Sequence, residues 1–340
     1  MKAVQFQSPG NVKVTEKEIP DLGSGEVLLK INYIGICGTD LSTFRGANPL
    51  VKYPVIPGHE ISAEVVDTGS QVPKHIKKGM LATANPYTSC GNCPSCKRRR
   101  YNACQYNETM GVQRDGAMQE YLILPWEKLL INEKLNKDQL ALVEPLSVGF
   151  HAVARGAVTD IDTVLVIGCG MIGAGAIIRA ALRGARVIAV DLDDHKLEIA
   201  RKIGARYTIN AGKEPLHELL QSITAGQGPD VVIEAVGSPA TYVTAIEEVA
   251  FTGRVVYIGY AKNEVAFTTK LFVQKELDIR GSRNALPEDF RAVMNFMETG
   301  KLPLADLITK KLRPEQVAAA MEDWSQKPSA VFKLFVDFSR

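Results

Sequence analysis

The sequence predicts an α/β protein in which a β-rich domain precedes a doubly wound parallel sheet. Three observations carry that expectation. The chain has 340 residues, about two domains at ~100–200 residues each. Residues 1–85 are short strand-like segments punctuated by Pro and Gly. From residue 163 onward, short apolar strands alternate with helical segments, the pattern of repeated βαβ units. With 46% hydrophobic and 23% charged residues, such a chain can bury a sizeable core. A net charge of +2 gives no general reason to expect nucleic acid or a membrane surface as partner. No apolar run is long enough to span a bilayer and no signal peptide is evident, so the cytoplasm is the expected location.

In the first domain, strands are expected at 2–6, 12–18, 26–34 and 64–68, separated by Pro20, Gly23, Gly25 and Gly69. Two stretches break this rhythm with chemistry: Gly35-Ile36-Cys37-Gly38-Thr39-Asp40 and Pro57-Gly58-His59-Glu60. A loop rich in Cys, Lys and Arg follows, then a strand at 119–124 and a helix at 138–154.

The nucleotide-binding unit is the most legible part. Residues 164–167 form a continuous apolar run, as a parallel strand buried on both faces requires. Gly168 permits the tight turn, Gly170 lets backbone approach a pyrophosphate, and Gly173 lets the next helix pack closely. Met171 and Ile172 open that helix, whose N-terminal N–H groups and dipole favour phosphate. A second strand ends at Asp191, about 20 residues on, where a carboxylate can accept from the ribose hydroxyls. A bare Gly-x-Gly-x-x-Gly is a weak signal, and a merely structural glycine turn is its alternative. Here the strand, the helix and the acid all accompany it. Further strands are expected at 207–209, 231–235, 255–258 and 278–280. Helices are expected at 288–298 and 315–323, and a last strand at 330–337 returns to the first domain.

Six cysteines are present, and their distribution favours metal over disulfides. Cys90, Cys93, Cys96 and Cys104 form a C-x2-C-x2-C-x7-C cluster. Four thiolates on a short loop close a tetrahedron about Zn²⁺ with no open position, the mark of a structural site. An iron–sulfur cluster and unpaired thiols are the weaker alternatives. The adjoining Lys97–Arg100 run, without interleaved aromatics, suits a solvated lobe better than a nucleic-acid contact. Cys37, His59 and Glu60 are a second set: a thiolate, an imidazole and a carboxylate suit a catalytic zinc with an open position. Taken alone, Cys37 is more often a small buried residue and His59 a satisfied surface histidine.

The order of these motifs resembles the zinc-dependent medium-chain dehydrogenase/reductases. It runs Gly-Ile-Cys-Gly-Thr-Asp, Gly-His-Glu, the four-Cys lobe, Glu144-Pro-Leu-Ser-Val-Gly149, then a Rossmann unit with Val236-Gly237 after its fourth strand. Within that family the chain is similar to the polyol, threonine and sugar-acid branch, and through residues 281–290 to the L-galactonate or L-gulonate 5-dehydrogenase type. The resemblance implies a GroES-like catalytic domain over 1–147, a Rossmann NAD-binding domain over 148–282, and a return segment over 283–340. It implies two zinc ions per chain and NAD as cofactor. Cys37, His59 and Glu60 match catalytic zinc ligands. Glu144 matches a position that binds zinc through water or exchanges with the other Glu, Thr39 the hydroxyl that takes the substrate proton, and Asp40 an acid that orients His59. Asp191 is expected to exclude the 2′-phosphate of NADP with help from Asp193 and Asp194. Ser42 stands where these enzymes often carry a relay histidine. Arg283 is a candidate clamp for a substrate carboxylate; a cofactor phosphate or a glutamate at the domain junction are its alternative partners.

The implied reaction is hydride transfer from a secondary alcohol of a sugar acid or polyol to NAD⁺. A threonine dehydrogenase or a neutral polyol dehydrogenase shares every motif, and an inactive nucleotide-binding sensor is a remote third reading. The family implies a dimer or tetramer, with the apolar strand at 254–259 a candidate contact.

Overall fold

The strand Glu26–Ile36 organises the first of two compact units in the computed structural model, which describes residues 1–339. Its side chains alternate between buried and half-buried as far as Ile31, as a strand with one covered face does. Burial then becomes almost continuous through Ile36. It pairs with Glu60–Thr68, Tyr121–Pro125 and Leu334–Asp337 in a seven-stranded sheet. Leu81–Ala84, Leu129–Ile131 and Lys310–Leu312 complete that sheet. These three strands are too short for a period-2 pattern to reveal them. Phe6, Leu29, Ile31, Ile34, Ile61 and Met118 are fully buried in the core of this unit.

The expected helix at 138–154 is two helices, Lys137–Ala141 and Val143–Arg155. Asn136 caps the first, accepting from Gln139 N, while Pro145 falls in the first turn of the second, where no intrahelical N–H is needed. The first unit comprises Met1–Glu144, Met294–Gly300 and the stretch from Leu304 onward; the second comprises Pro145–Val293 and Lys301–Pro303. The return therefore starts after Val293, later than the expected 283. The reason is local: in the helix Pro287–Met297, Asp289 Oδ2 lies 2.8 Å from His151 Nδ1 and Phe290 is fully buried, tying that helix's start to Val143–Arg155.

The second unit holds a six-stranded parallel sheet ordered Tyr207–Asn210, Arg186–Asp191, Thr163–Ile167, Val231–Glu234, Arg254–Tyr257, Asp278–Gly281. In chain order this is 3-2-1-4-5-6, the doubly wound arrangement that binds ligands beyond the C-terminal ends of the strands, where the order reverses. All five residues of Thr163–Ile167 are buried. The strand at 254–257 lies next to the sheet edge and is paired on both sides, so its backbone offers no free edge to another subunit. The edge strand beside it is Asp278–Gly281, in which Ile279 is 43% exposed, and Val273 shortly before it is 83% exposed.

Candidate metal and nucleotide sites

Cys37 follows the long strand and caps the helix Gly38–Phe44. Its sulfur accepts from Thr39 N at 3.4 Å and lies 3.6 Å from Thr39 Oγ1. Its own N–H donates to Asp40 Oδ2 at 2.8 Å. His59 and Glu60 sit where the neighbouring strand Glu60–Thr68 begins. Gly58, at φ +102, has its Cβ position 2.8 Å from Ile34 and 3.0 Å from Met118 N. Gly35 is the register partner of Glu60, and a Cβ on it would lie 1.9 Å from Glu60 Oε2. Gly35 thus makes room for the Glu60 side chain, and Gly58 for the close approach of Ile34 and Met118.

Ligand atoms of Cys37, His59 and Glu60 all lie within 4.8 Å of one another. Burial disfavours a charged His59, yet Cys37, Asp40 and Glu144 outweigh it and push its pKa well above the ordinary value. Such a concentration of buried anions around one imidazole suits a dication. Asp40 is fully buried, which raises its pKa, while the charge of His59 works against that rise. Its Oδ1 has no hydrogen-bond partner, nor has His59 Nδ1. The expected bond from Asp40 to His59 is thus not formed; Asp40 instead holds the Cys37 N–H.

Glu144 stands outside the three-residue ligand cluster. It lies in the first turn of Val143–Arg155, and its Oε1 accepts from the buried Tyr87 hydroxyl. Burial raises the pKa of Glu144, opposed by His59, and burial with the adjacent carboxylate pushes Tyr87 up. Sequence reasoning missed Tyr87, which carries no local signal. It also missed Lys333, whose Nζ donates to Glu60 Oε1 and Oε2, both at 2.6 Å, and to Ile36 O at 3.2 Å. Burial works to lower the Lys333 pKa, and Glu60 and Cys37 overcome it, leaving it raised. A lysine inside the otherwise apolar run at 330–336 was the available signal. Ser42 is half-buried within the helix Gly38–Phe44.

In the lobe, the sulfurs of Cys90, Cys93, Cys96 and Cys104 lie within 4.8 Å of one another, and none of the four is in a disulfide. Backbone N–H groups point at them: Cys90 N and Tyr106 N at Cys104 Sγ, 3.4 and 3.3 Å, and Cys93 N at Cys90 Sγ, 3.4 Å. Such donors favour thiolate, and the backbone N–H groups of Cys96 and Gln105, directed at Cys93, lower it to about 6.

In the second unit, Gly168 adopts φ +95 and its Cβ position is 2.6 Å from Val236. A Cβ on Gly173 would sit 1.8 Å from Gly168 O, whereas one on Gly170 meets nothing within 4 Å. Gly170 caps the helix Met171–Leu182. Asp191 ends its strand with Oδ2 accepting from Cys169 N at 2.7 Å and Oδ1 from Leu192 N at 2.7 Å, which fixes the carboxylate beside the glycine loop. Asp193 and Asp194 have other tasks. The first caps the following helix by accepting from Lys196 N, and the second pairs with Lys213 and accepts from Asn210. Val236 N and Gly237 N donate to Glu234 Oε1 at 2.9 and 2.8 Å, and Thr241 Oγ1 donates to it at 2.8 Å. This buried glutamate, also missed from sequence, shapes the loop after the fourth strand. Arg283 is half-buried just beyond the edge strand, within the second unit.

Comparison with known proteins agrees with both halves. Residues 23–134 match the alcohol dehydrogenase GroES-like domain and 172–299 the zinc-binding dehydrogenase family. The chain is 33% identical to the L-galactonate-5-dehydrogenase of Escherichia coli over 92% of this chain and 91% of that one. It is 33% identical to the sorbitol dehydrogenase of Bacillus subtilis over 99% and 97%. A solved E. coli structure, described as a short chain alcohol dehydrogenase complexed with NADH, superposes with a TM-score of 0.90 at 28% identity over 99% of both chains. The chain therefore belongs to the zinc-type medium-chain dehydrogenase family, oxidoreductases acting on CH–OH donors.

Proposed function

We propose that this member of the zinc-type dehydrogenase family transfers a hydride from a secondary alcohol of a sugar acid or polyol to NAD⁺. The observation that carries the reading is the mutual approach of Cys37, His59 and Glu60 within 4.8 Å, in a chain whose other unit has the glycine turn and Asp191. Those three residues would hold a catalytic zinc, with Glu144 as the alternative carboxylate. Cys90, Cys93, Cys96 and Cys104 would hold a structural zinc, a thiolate site that suits the reducing cytoplasm. When bound, the zinc supplies Lewis acidity to the substrate hydroxyl and the nicotinamide accepts the hydride.

The remaining work falls to the chain's own side chains. Thr39 Oγ1, beside the Cys37 sulfur, takes the hydroxyl proton. Ser42 offers no imidazole for its onward transfer. Tyr87 holds Glu144 in place. Gly168, Gly170 and Gly173, with Met171 and Ile172 at the helix start, receive the pyrophosphate. Asp191 receives the adenosine ribose, and Val236 and Gly237 border the nicotinamide. The chain is also expected to assemble with copies of itself through the edge strand Asp278–Gly281, where Val273 and Ile279 are exposed.

The acid substrate is favoured by Arg283, whose guanidinium can grip a carboxylate through two parallel hydrogen bonds, and by the similarity to L-galactonate-5-dehydrogenase. A screen of L-galactonate, L-gulonate, threonine, sorbitol and galactitol with NAD⁺ tests it. An acid sugar should give the highest kcat/KM, and Arg283→Met should cost roughly 2–4 kcal/mol on the acid alone. Equal losses on acid and neutral substrates, or a raised KM for NAD, would assign Arg283 elsewhere and favour a neutral polyol.

A further inference from the structure

Arg114 and Lys128 are half-buried cations, and among the described residues no carboxylate is bonded to either. A guanidinium has five N–H donors and an ammonium three. The protein accepts from one N–H of Lys128, through Tyr87 O at 2.6 Å, and from none of the Arg114 side chain. Arg114 Nε is buried without a partner. Burial pushes the Arg114 guanidinium below its ordinary pKa, against the pull of Glu108. Lys128 is pushed down by burial and then by the charge of Arg114, with Glu127 opposing. Both glutamates are exposed. Two like charges in a partly dry place repel, and a bound anion would offset that cost.

Local backbone holds both cations near the candidate metal ligands. Gly111 N donates to Arg114 O at 2.9 Å, and a Cβ on Gly111 would lie 2.5 Å from Gly58 N. Asp115 Oδ1 accepts from Ile56 N at 2.9 Å. The turn carrying Arg114 is thus pressed on residues 56–58, immediately before His59. Lys128 grips the backbone of Tyr87, whose hydroxyl bonds Glu144.

We propose that Arg114 and Lys128 form an oxyanion subsite that takes the phosphate of a phosphorylated polyol, anchoring the charged end of the substrate. A guanidinium pairs with phosphate oxygens through parallel N–H groups, and the ammonium adds a second charge. Two cations match a doubly charged phosphate; the single charge of a sugar acid is one that Arg283 alone can meet. The link to catalysis rests on the dehydrogenase reading given under Proposed function, whereas anion binding does not.

The test uses the full-length protein, with Arg114→Gln and Lys128→Gln as variants. Binding of inorganic phosphate is followed by calorimetry and by the rise in melting temperature it produces. Initial rates with NAD⁺ then compare sorbitol 6-phosphate, L-gulonate and sorbitol. Phosphate should bind the wild type, and each variant about tenfold or more weakly, ~1.4 kcal/mol. Without phosphate, Arg114→Gln should melt no lower than wild type, since it removes a repulsion and no bond; a lower melting point would mark a structural arginine. The ratio of kcat/KM on sorbitol 6-phosphate to that on sorbitol should fall about tenfold in Arg114→Gln. Should Lys128→Gln fail to fold, Arg114→Gln decides alone. No phosphate binding to the wild type, or equal binding to the folded variants, would overturn the subsite. An unchanged ratio, or a larger loss on L-gulonate, would overturn its assignment to a phosphorylated substrate. No turnover of any of the three alcohols, with phosphate bound as expected, would instead count against the reading under Proposed function.

Discussion

Gly170 and Gly173 stand three residues apart in one loop–helix turn, and the structure separates their jobs. A methyl on Gly173 would lie 1.8 Å from Gly168 O, against backbone that cannot swing aside. Relief requires the helix Met171–Leu182 to move off its strand, and overpacking of this kind costs about 1–3 kcal/mol, sometimes more. At ~2–4 °C per kcal/mol for a unit of this size, Gly173→Ala should lower the melting temperature by roughly 2–12 °C. Gly170 differs. Its φ is −68 and ψ −172, backbone that any residue adopts, and its Cβ position meets nothing within 4 Å. Gly170→Ala should leave stability within about 0.5 kcal/mol. The empty space is where a pyrophosphate would approach, so the methyl should raise KM for NAD about tenfold, ~1.4 kcal/mol, with kcat at saturating NAD little changed. The assay pairs thermal melting without cofactor with initial rates across NAD concentration. An unchanged KM for NAD in Gly170→Ala would refute the placement of the phosphates at this turn.

Three further outcomes are expected. Wild-type enzyme should prefer NAD over NADP by about 100-fold, since a phosphate facing Asp191 costs several kcal/mol, and Asp191→Asn should narrow the gap to about tenfold; equal kcat/KM for the two cofactors in the wild type would contradict this. Cys104→Ser should remove one ion per chain and lower the melting temperature, because a closed thiolate site contributes directly to folding, whereas Cys37→Ser should remove the other ion with a smaller thermal effect; metal content and melting curves decide it. Ser42→His should speed oxidation near pH 7, where an imidazole can accept the relayed proton, and an unaltered pH–rate profile would send the proton by another path.

The nucleotide half was legible in the sequence because its signals are local. A buried parallel strand must be apolar throughout, the turn after it needs glycine, and the acid ends the next strand, all between residues 163 and 191. The four-cysteine lobe was legible for the same reason, its four sulfurs coming from the short stretch Cys90–Cys104. What the sequence could not decide is which distant side chains meet. Lys333 reaches Glu60 across 273 residues and Tyr87 reaches Glu144 across 57; only the pairing of Leu334–Asp337 with Glu26–Ile36 brings the first two together. Asp193 and Asp194, adjacent to Asp191 in sequence, proved committed to a helix cap and to Asn210 and Lys213. Asp40, expected on His59, holds the Cys37 N–H instead. A residue's type declares the bonds it can make, but its partner is set by strand order and register, which the chain fixes only when distant segments pack.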